Sequence, residues 1–224
     1  MPLFYKKDIN PTTSLAIWKI EEPEAFFLDY VPLKSTITHP HKRLQHLAGR
    51  YLLQYLYPDF PISFIQIADT RKPYLENEKY HFSISHCGDY AAAIVSSTVR
   101  TGIDIELVRP TVAKIAHKFL HPEEINQLLG VAINSPMGNM AQIQTILLPK
   151  LTELTVHWCA KEAIFKWWGL GDVDFSEMMR IDDLILSEKG KLKSRFIRDK
   201  LPHTITPQYK IFGNLCLVWL SENW

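Results

Sequence analysis

Leu44, Leu47, Ala48, Tyr51, Leu52, Tyr55 and Leu56 recur at three- and four-residue steps between Pro40 and Pro58, a spacing that predicts a helix over His41 to Tyr57. Its polar stripe carries Arg43, His46, Arg50 and Gln54. Downstream the pattern shortens. Ile62 to Ala68 and Tyr80 to Ser85 read as short strands and Tyr90 to Val95 as a buried one, with Cys87-Gly88-Asp89 as the turn of a hairpin. Gly102 to Val108 continues as a strand closed by Pro110.

Helical spacing then returns. His121-Pro122-Glu123-Glu124 has the form of a helix start, with proline in the first turn and acids near the positive end of the dipole. Asn134 to Asn139 is a loop signal, after which Ile143 to Trp168 reads as one long helix interrupted near Pro149. Strands are expected at Leu184 to Ser187, Ser194 to Ile197, Gln208 to Phe212 and Leu215 to Leu220, the last two joined by a Gly213-Asn214 turn. Helix followed by hairpin occurs early and again late, so the fold class is α+β, in two similar halves over residues 1–101 and 102–224.

Composition narrows the function classes. The 224 residues are 46% apolar, enough for a packed core, and their net charge of +1 gives no bulk affinity for nucleic acid or any other polyanion. No apolar run approaches the roughly 20 residues that cross a bilayer. The odd, unevenly spaced Cys87, Cys159 and Cys216 and the absence of a signal-peptide core point to a soluble protein of a reducing cytoplasm.

Candidate chemistry begins at Gly102-Ile103-Asp104-Ile105-Glu106. On a strand, Asp104 and Glu106 share one face while Ile103, Ile105 and Leu107 take the other. Two carboxylates about 4 Å apart repel by about 4 kcal/mol at an effective dielectric of 20, so a convergent pair calls for a cation or a proton. Taken alone, Asp-x-Glu is usually the wet face of a sheet. A third acid, Glu162, stands in Trp158-Cys159-Ala160-Lys161-Glu162-Ala163-Ile164-Phe165-Lys166. There Ala160, Ala163, Ile164 and Trp167 make the core stripe, and Trp158, Glu162 and Lys166 lie at four-residue steps on an adjacent face. In the plain reading Glu162 and Lys166 are a surface ion pair. In the sharper one, oxygen-only ligation by Asp104, Glu106 and Glu162 suits Mg²⁺. Ser85 and His86 end a strand where a hydroxyl and an imidazole can reach an anion, and no triad geometry supports a hydrolase. Arg71-Lys72-Pro73 is a basic turn, a solvated loop or a phosphate clamp.

The order Ala48-Gly49-Arg50, Arg71-Lys72-Pro73, Phe82 to His86, Gly102 to Glu106 and Trp158 to Lys166 resembles the 4′-phosphopantetheinyl transferase superfamily, most closely its two-lobed, surfactin-synthetase-activating type. Two positions depart from that pattern: Ser83 stands where Asn is usual, and Arg71 where Gly is common before Lys-Pro. The resemblance implies a pseudo-dimer of two α+β lobes with the active site at their interface. The N-terminal lobe would bind coenzyme A and the C-terminal lobe would carry the metal site and the transfer chemistry.

It further implies transfer of phosphopantetheine from coenzyme A to a serine of an apo acyl or peptidyl carrier protein, with release of 3′,5′-ADP, by a monomer. Asp104, Glu106 and Glu162 would hold Mg²⁺, and Lys161 and Lys166 would add positive charge at the phosphates. Glu162 is the first candidate for the base and Glu106 the second. Arg43, Arg50, Arg71, Lys72, Pro73, Ser85 and a protonated His86 would receive the adenylate end of coenzyme A. Two other classes share these residues: a metal-dependent phosphodiesterase, and a non-catalytic binder of coenzyme A or carrier protein.

Overall fold

The computed structural model describes residues 2–33, 37–130, 145, 147–182 and 184–223. The expected loop at Asn134 to Asn139 and the start of the long helix at Ile143 lie outside these residues. The chain is mixed α+β and divides into two compact units. One comprises residues 1–105, 166–171 and 219–224, and the other 106–165 and 172–218.

In the first unit, β1 (Leu3–Asn10) and β2 (Thr13–Lys19) form an antiparallel hairpin, with Lys6 opposite Ala16. A short helix α1 (Glu24–Leu28) leads to α2 (Pro40–Leu56), within one residue of the helix expected from periodicity. The expected strand over Ile62 to Ala68 does not form. Ile62–Phe64 is a single 3₁₀ turn, and only β3 (Gln66–Ile67) is extended, paired with β4 (Pro73–Tyr74). Ile62 is buried there but Phe64 and Ile67 are exposed, so the apolar run has no sheet face to cover.

The hairpin of β5 (His81–Cys87) and β6 (Tyr90–Ser96) completes a four-stranded antiparallel sheet of order β1-β2-β6-β5. Helix α2 packs on this sheet through Leu47, Ala48, Leu52 and Leu53, against Ala16, Trp18, Phe82, Ala91, Ala93 and Val95. Gly49 is needed at the closest approach, since a Cβ there would stand 2.5 Å from the Ile84 side chain.

β7 (Thr101–Leu107) follows and contributes residues to both units, as the later long helix and final strand also do. In the second unit α3 (Thr111–Phe119), unforeseen in the sequence, precedes α4 (Pro122–Leu129). The expected start of α4 is realised as a capping box: His121 Nδ1 accepts from the Glu123 N–H, and Glu124 accepts from the His121 N–H. Pro149 sits in a 3₁₀ turn at Leu148–Lys150 that runs straight into α5 (Leu151–Trp168).

The expected strand at Leu184 to Ser187 is displaced. β8 (Met179–Asp182) ends before it and β9 (Lys189–Lys191) begins after it, leaving Ile185 87% exposed. β10 (Lys193–Arg198) pairs with β8 and with β11 (Leu201–Ile205), in the order β11-β10-β8. β12 (Gln208–Phe212) and β13 (Leu215–Ser221) flank the expected Gly213-Asn214 turn, and the last sheet has the order β7-β13-β12-β9. Among the described residues no helix is long and apolar enough to cross a membrane, and all three cysteines are free thiols.

Candidate active site

Ser83 and Ser85 are both buried on β5 and turn their hydroxyls toward β7. Ser83 Oγ accepts the Ile103 N–H at 3.2 Å and Ser85 Oγ accepts the Ile105 N–H at 3.4 Å. The Ser85 hydroxyl donates to Asp104 Oδ1 at 2.6 Å, and Lys166 Nζ donates to both, at 3.0 and 2.6 Å. Asp104 is only 3% exposed, and among the described residues its second oxygen, Oδ2, has no hydrogen-bond partner. A buried carboxylate oxygen left open is costly unless a donor or cation meets it.

Along α2, one turn apart, Arg50 donates from Nη1 to His46 Nδ1 at 3.0 Å. Burial, with the Arg50 charge and His86 adding to it, pushes the His46 pKa down to about 4. His86 is exposed as a residue, yet its imidazole pKa is lowered, by lost solvation around the ring first and by the Lys166 ammonium second. The neutral ring is therefore favoured at pH 7, not the protonated one expected. An arriving phosphate would shift it back.

The other basic candidates do not gather at these groups. Arg43 is engaged by Glu24 at 2.7 Å and by the Ile37 carbonyl at 3.2 Å, which makes it a brace between α1 and α2. Arg71 is exposed, with φ at 65° in the left-handed region, which accounts physically for a glycine preference at that position. Lys72 and Pro73 line a cavity to which Arg50, Ser85 and His86 do not contribute.

In the second unit, Glu106 is half-buried and accepts from the Trp158 indole N–H at 3.4 Å. Burial, reinforced by the Glu106 charge, pushes the Cys216 thiol up to about 12, so this cysteine is no nucleophile. Glu162 is half-buried one turn beyond Trp158 on α5. Lys161 departs from its expected role. It is fully buried, and its ammonium donates to Glu124 Oε2 at 2.6 Å and to the Phe119 and Phe175 carbonyls at 2.6 and 3.1 Å. All three donors of that ammonium are used, so Lys161 ties the end of α3, the start of α4 and Phe175 to α5 and presents no charge to a ligand.

Among the described residues no three His, Cys, Asp or Glu side chains stand close enough together to hold a metal ion unaided. The donor chemistry nonetheless suits a hard divalent cation: Asp104 and Glu106 are two residues apart on β7, Glu162 is a further carboxylate, and Asp104 Oδ2 is open. Lys166 is the cation that neutralises Asp104 without a metal.

A search among curated proteins returned no match. The sequence profile of the 4′-phosphopantetheinyl transferase superfamily matches residues 100–215, just over half of the chain, and spans β7, α5 and all three acids. The chain therefore belongs to the 4′-phosphopantetheinyl transferase superfamily.

Proposed function

We propose that this protein moves the 4′-phosphopantetheine arm of coenzyme A onto a serine of an apo acyl or peptidyl carrier protein, with Mg²⁺, as a monomeric member of the two-lobed, surfactin-synthetase-activating type working in the cytoplasm. The observation that carries the reading is buried Asp104, within the matched family domain, whose Oδ1 is held by Ser85 and Lys166 while its Oδ2 stays open.

In this mechanism Asp104, Glu106 and Glu162 would hold the ion. Bound there, Mg²⁺ would neutralise charge on the pyrophosphate as the phosphoanhydride bond breaks. Lys166 lets go of Asp104 and turns its ammonium to a phosphate oxygen. Glu162, or failing it Glu106, accepts the proton of the carrier serine. The serine oxygen bonds to the phosphorus that bears the pantetheine arm, the bond from that phosphorus to the bridging oxygen breaks, and 3′,5′-ADP leaves. Arg50, Ser85, His86 and the Arg71-Lys72-Pro73 turn bind the adenylate end, so that binding energy far from the reacting phosphorus orients it. Trp158 fixes the Glu106 carboxylate through its indole N–H.

The test is incubation with coenzyme A, MgCl₂ and apo carrier proteins of the fatty acid, polyketide and peptide classes. Mass spectrometry should show one phosphopantetheinyl group added to at least one carrier, with 3′,5′-ADP released in equal amount, and Asp104→Ala should abolish both. No mass gain on any carrier would overturn the reading, and hydrolysis of coenzyme A without a carrier would replace it with phosphodiesterase chemistry.

A further inference from the structure

Within the second unit a cavity of about 460 Å³ opens between the last turn of α4 and the chain that links β8 to β9. Among the described residues its lining is Gln127 and Leu128 from α4, His157 from α5, and Leu184 and Ile185 from the link. No acid, lysine or arginine is among them, so the walls are apolar with two polar groups set in them. His157 is only 2% exposed. Its Nδ1 lies 2.8 Å from the Glu153 carbonyl, and because a carbonyl only accepts, Nδ1 carries the proton. Nε2 is then a lone-pair acceptor, and among the described residues nothing donates to it. Burial holds the ring neutral against the opposing pull of the Glu124 charge.

Two further features fix the walls. Tyr209 on β12 is 2% exposed, and its hydroxyl donates to the Ile185 carbonyl at 3.2 Å and accepts the Ser187 N–H at 3.1 Å, which pins the link in place. Gly190 leaves the room for that ring, since a Cβ there would stand 2.7 Å from it. Ile185 is thus anchored by its backbone while its side chain, 87% exposed, stays at the mouth of the cavity. The position is also distinct from the candidate transfer residues. At about 100° per residue His157 lies about 140° round α5 from Glu162, on the stripe of the structural Lys161.

We propose that this cavity binds a small neutral molecule, an aliphatic chain ending in a hydroxyl that donates to His157 Nε2 while its carbons lie against Leu128, Leu184 and Ile185. A buried acceptor left open is costly until a donor meets it. The volume falls within the roughly 300–1,000 Å³ of pockets that enclose small ligands, and apolar walls with a few placed polar groups are their usual lining. An anion would meet no cation there, and its desolvation would go unrepaid. A metal ion would meet one imidazole without a second His, Cys, Asp or Glu in the described lining, which is too few ligands to hold it. This inference does not depend on the transferase activity, and its test is a binding measurement.

The experiment is titration of the full chain with hexanol and with its isomer pentyl methyl ether, which has the same atoms and no hydroxyl donor, followed in imidazole nitrogen NMR spectra that read Nε2 directly. Hexanol should bind saturably and shift the His157 Nε2 resonance, with an affinity that saturating coenzyme A leaves unchanged. The ether should bind about tenfold more weakly, as expected for the loss of one hydrogen bond. His157→Phe should bring the two isomers to equal affinity. Ile185→Asp changes an exposed side chain outside the core, so it reads the site even if His157→Phe fails to fold, and it should weaken hexanol about fivefold or more. Absence of saturable binding in the millimolar range would overturn the proposal, as would equal affinity of the parent for the two isomers, unchanged binding by Ile185→Asp, or displacement by coenzyme A.

Discussion

Lys166 Nζ stands 2.6 Å from Asp104 Oδ1, where the aspartate side chain is 4% exposed and the lysine 25%. The lysine is thus an internal counter-ion. Lys166→Met should cost about 2 kcal/mol of stability, below the cost of breaking a wholly buried pair because water reaches the lysine. Millimolar Mg²⁺ should restore part of that loss by taking over the carboxylate. Denaturant melts of both proteins with and without Mg²⁺ check this, and a Lys166→Met variant as stable as the parent would refute it.

Trp158 meets Glu106 through a single long indole N–H bond of 3.4 Å while its ring packs against Phe119 and Phe175. Trp158→Phe keeps an aromatic ring and drops the bond. The Mg²⁺ concentration for half-maximal transfer should rise about tenfold, in keeping with the loss of an outer-shell partner to a ligating carboxylate. A Mg²⁺ titration of the transfer rate tests this; a curve that coincides with the parent's would remove Trp158 from the site.

Lys161 is a structural lysine, fully buried with three acceptors around its ammonium. Lys161→Met takes the ammonium away from buried Glu124, which keeps only the His121 and Ile181 N–H groups, and from two interior carbonyls, and should cost about 3–5 kcal/mol. The expected readout is a lower unfolding midpoint, with any folded fraction keeping its Km for coenzyme A. A stable variant with a raised Km would return Lys161 to the ligand-binding residues.

Arg71→Gly should stabilise the chain by about 1 kcal/mol, because glycine adopts the left-handed backbone at this turn without a Cβ clash, although its greater freedom when unfolded offsets part of the gain. A unchanged or lowered denaturation midpoint would show that the arginine side chain contributes more than its backbone costs.

His46 contributes to the acid limb of stability, with His81, His86 and His157 shifted in the same direction by burial. Its folded pKa of about 4 lies below the usual histidine value, so between roughly pH 6.5 and 4 the unfolded chain takes up a proton that the folded chain refuses. Stability from this source is complete above pH 6.5 and falls as the pH drops toward 4. His46→Gln should flatten that limb in pH-dependent urea melts. Coenzyme A should flatten it as well if its 3′-phosphate sits beside Arg50, because an anion there favours the charged ring.

The sequence made the family more legible than the order of its elements. Periodicity marks α2 within a residue, and proline and acids mark the cap of α4, because those signals are local. β2 is hidden: Leu15, Ala16, Ile17 and Trp18 are all buried, and so short an apolar run carries no period that separates strand from helix. α3 was readable in principle from Val112, Ala113, Ala116 and Phe119, which share its buried side.

Leu184-Ile185-Leu186 misleads in the opposite sense, since apolar residues without a covering partner make no strand. At the site, Asp104 and Glu106 follow from strand alternation, but Lys161 and Lys166 are five residues apart on α5. At about 100° per residue that puts them on different faces, and only Lys166 shares a stripe with Glu162. Arg100 and Thr101 belong to no motif; only the fold brings them to Lys72 and His81.

β5 and β7 each lie at the outer margin of their own sheet, and two serine hydroxyls answer the amides that β7 turns toward β5. Such margins are templates for pairing with another molecule, and here they are closed by rotatable side chains in place of a shared ladder. The closure resists fibre-like association but depends on two small residues. Removing both hydroxyls at once would expose the amides of Ile103 and Ile105 to solvent exchange and to strangers, making solubility at high concentration the first property to suffer.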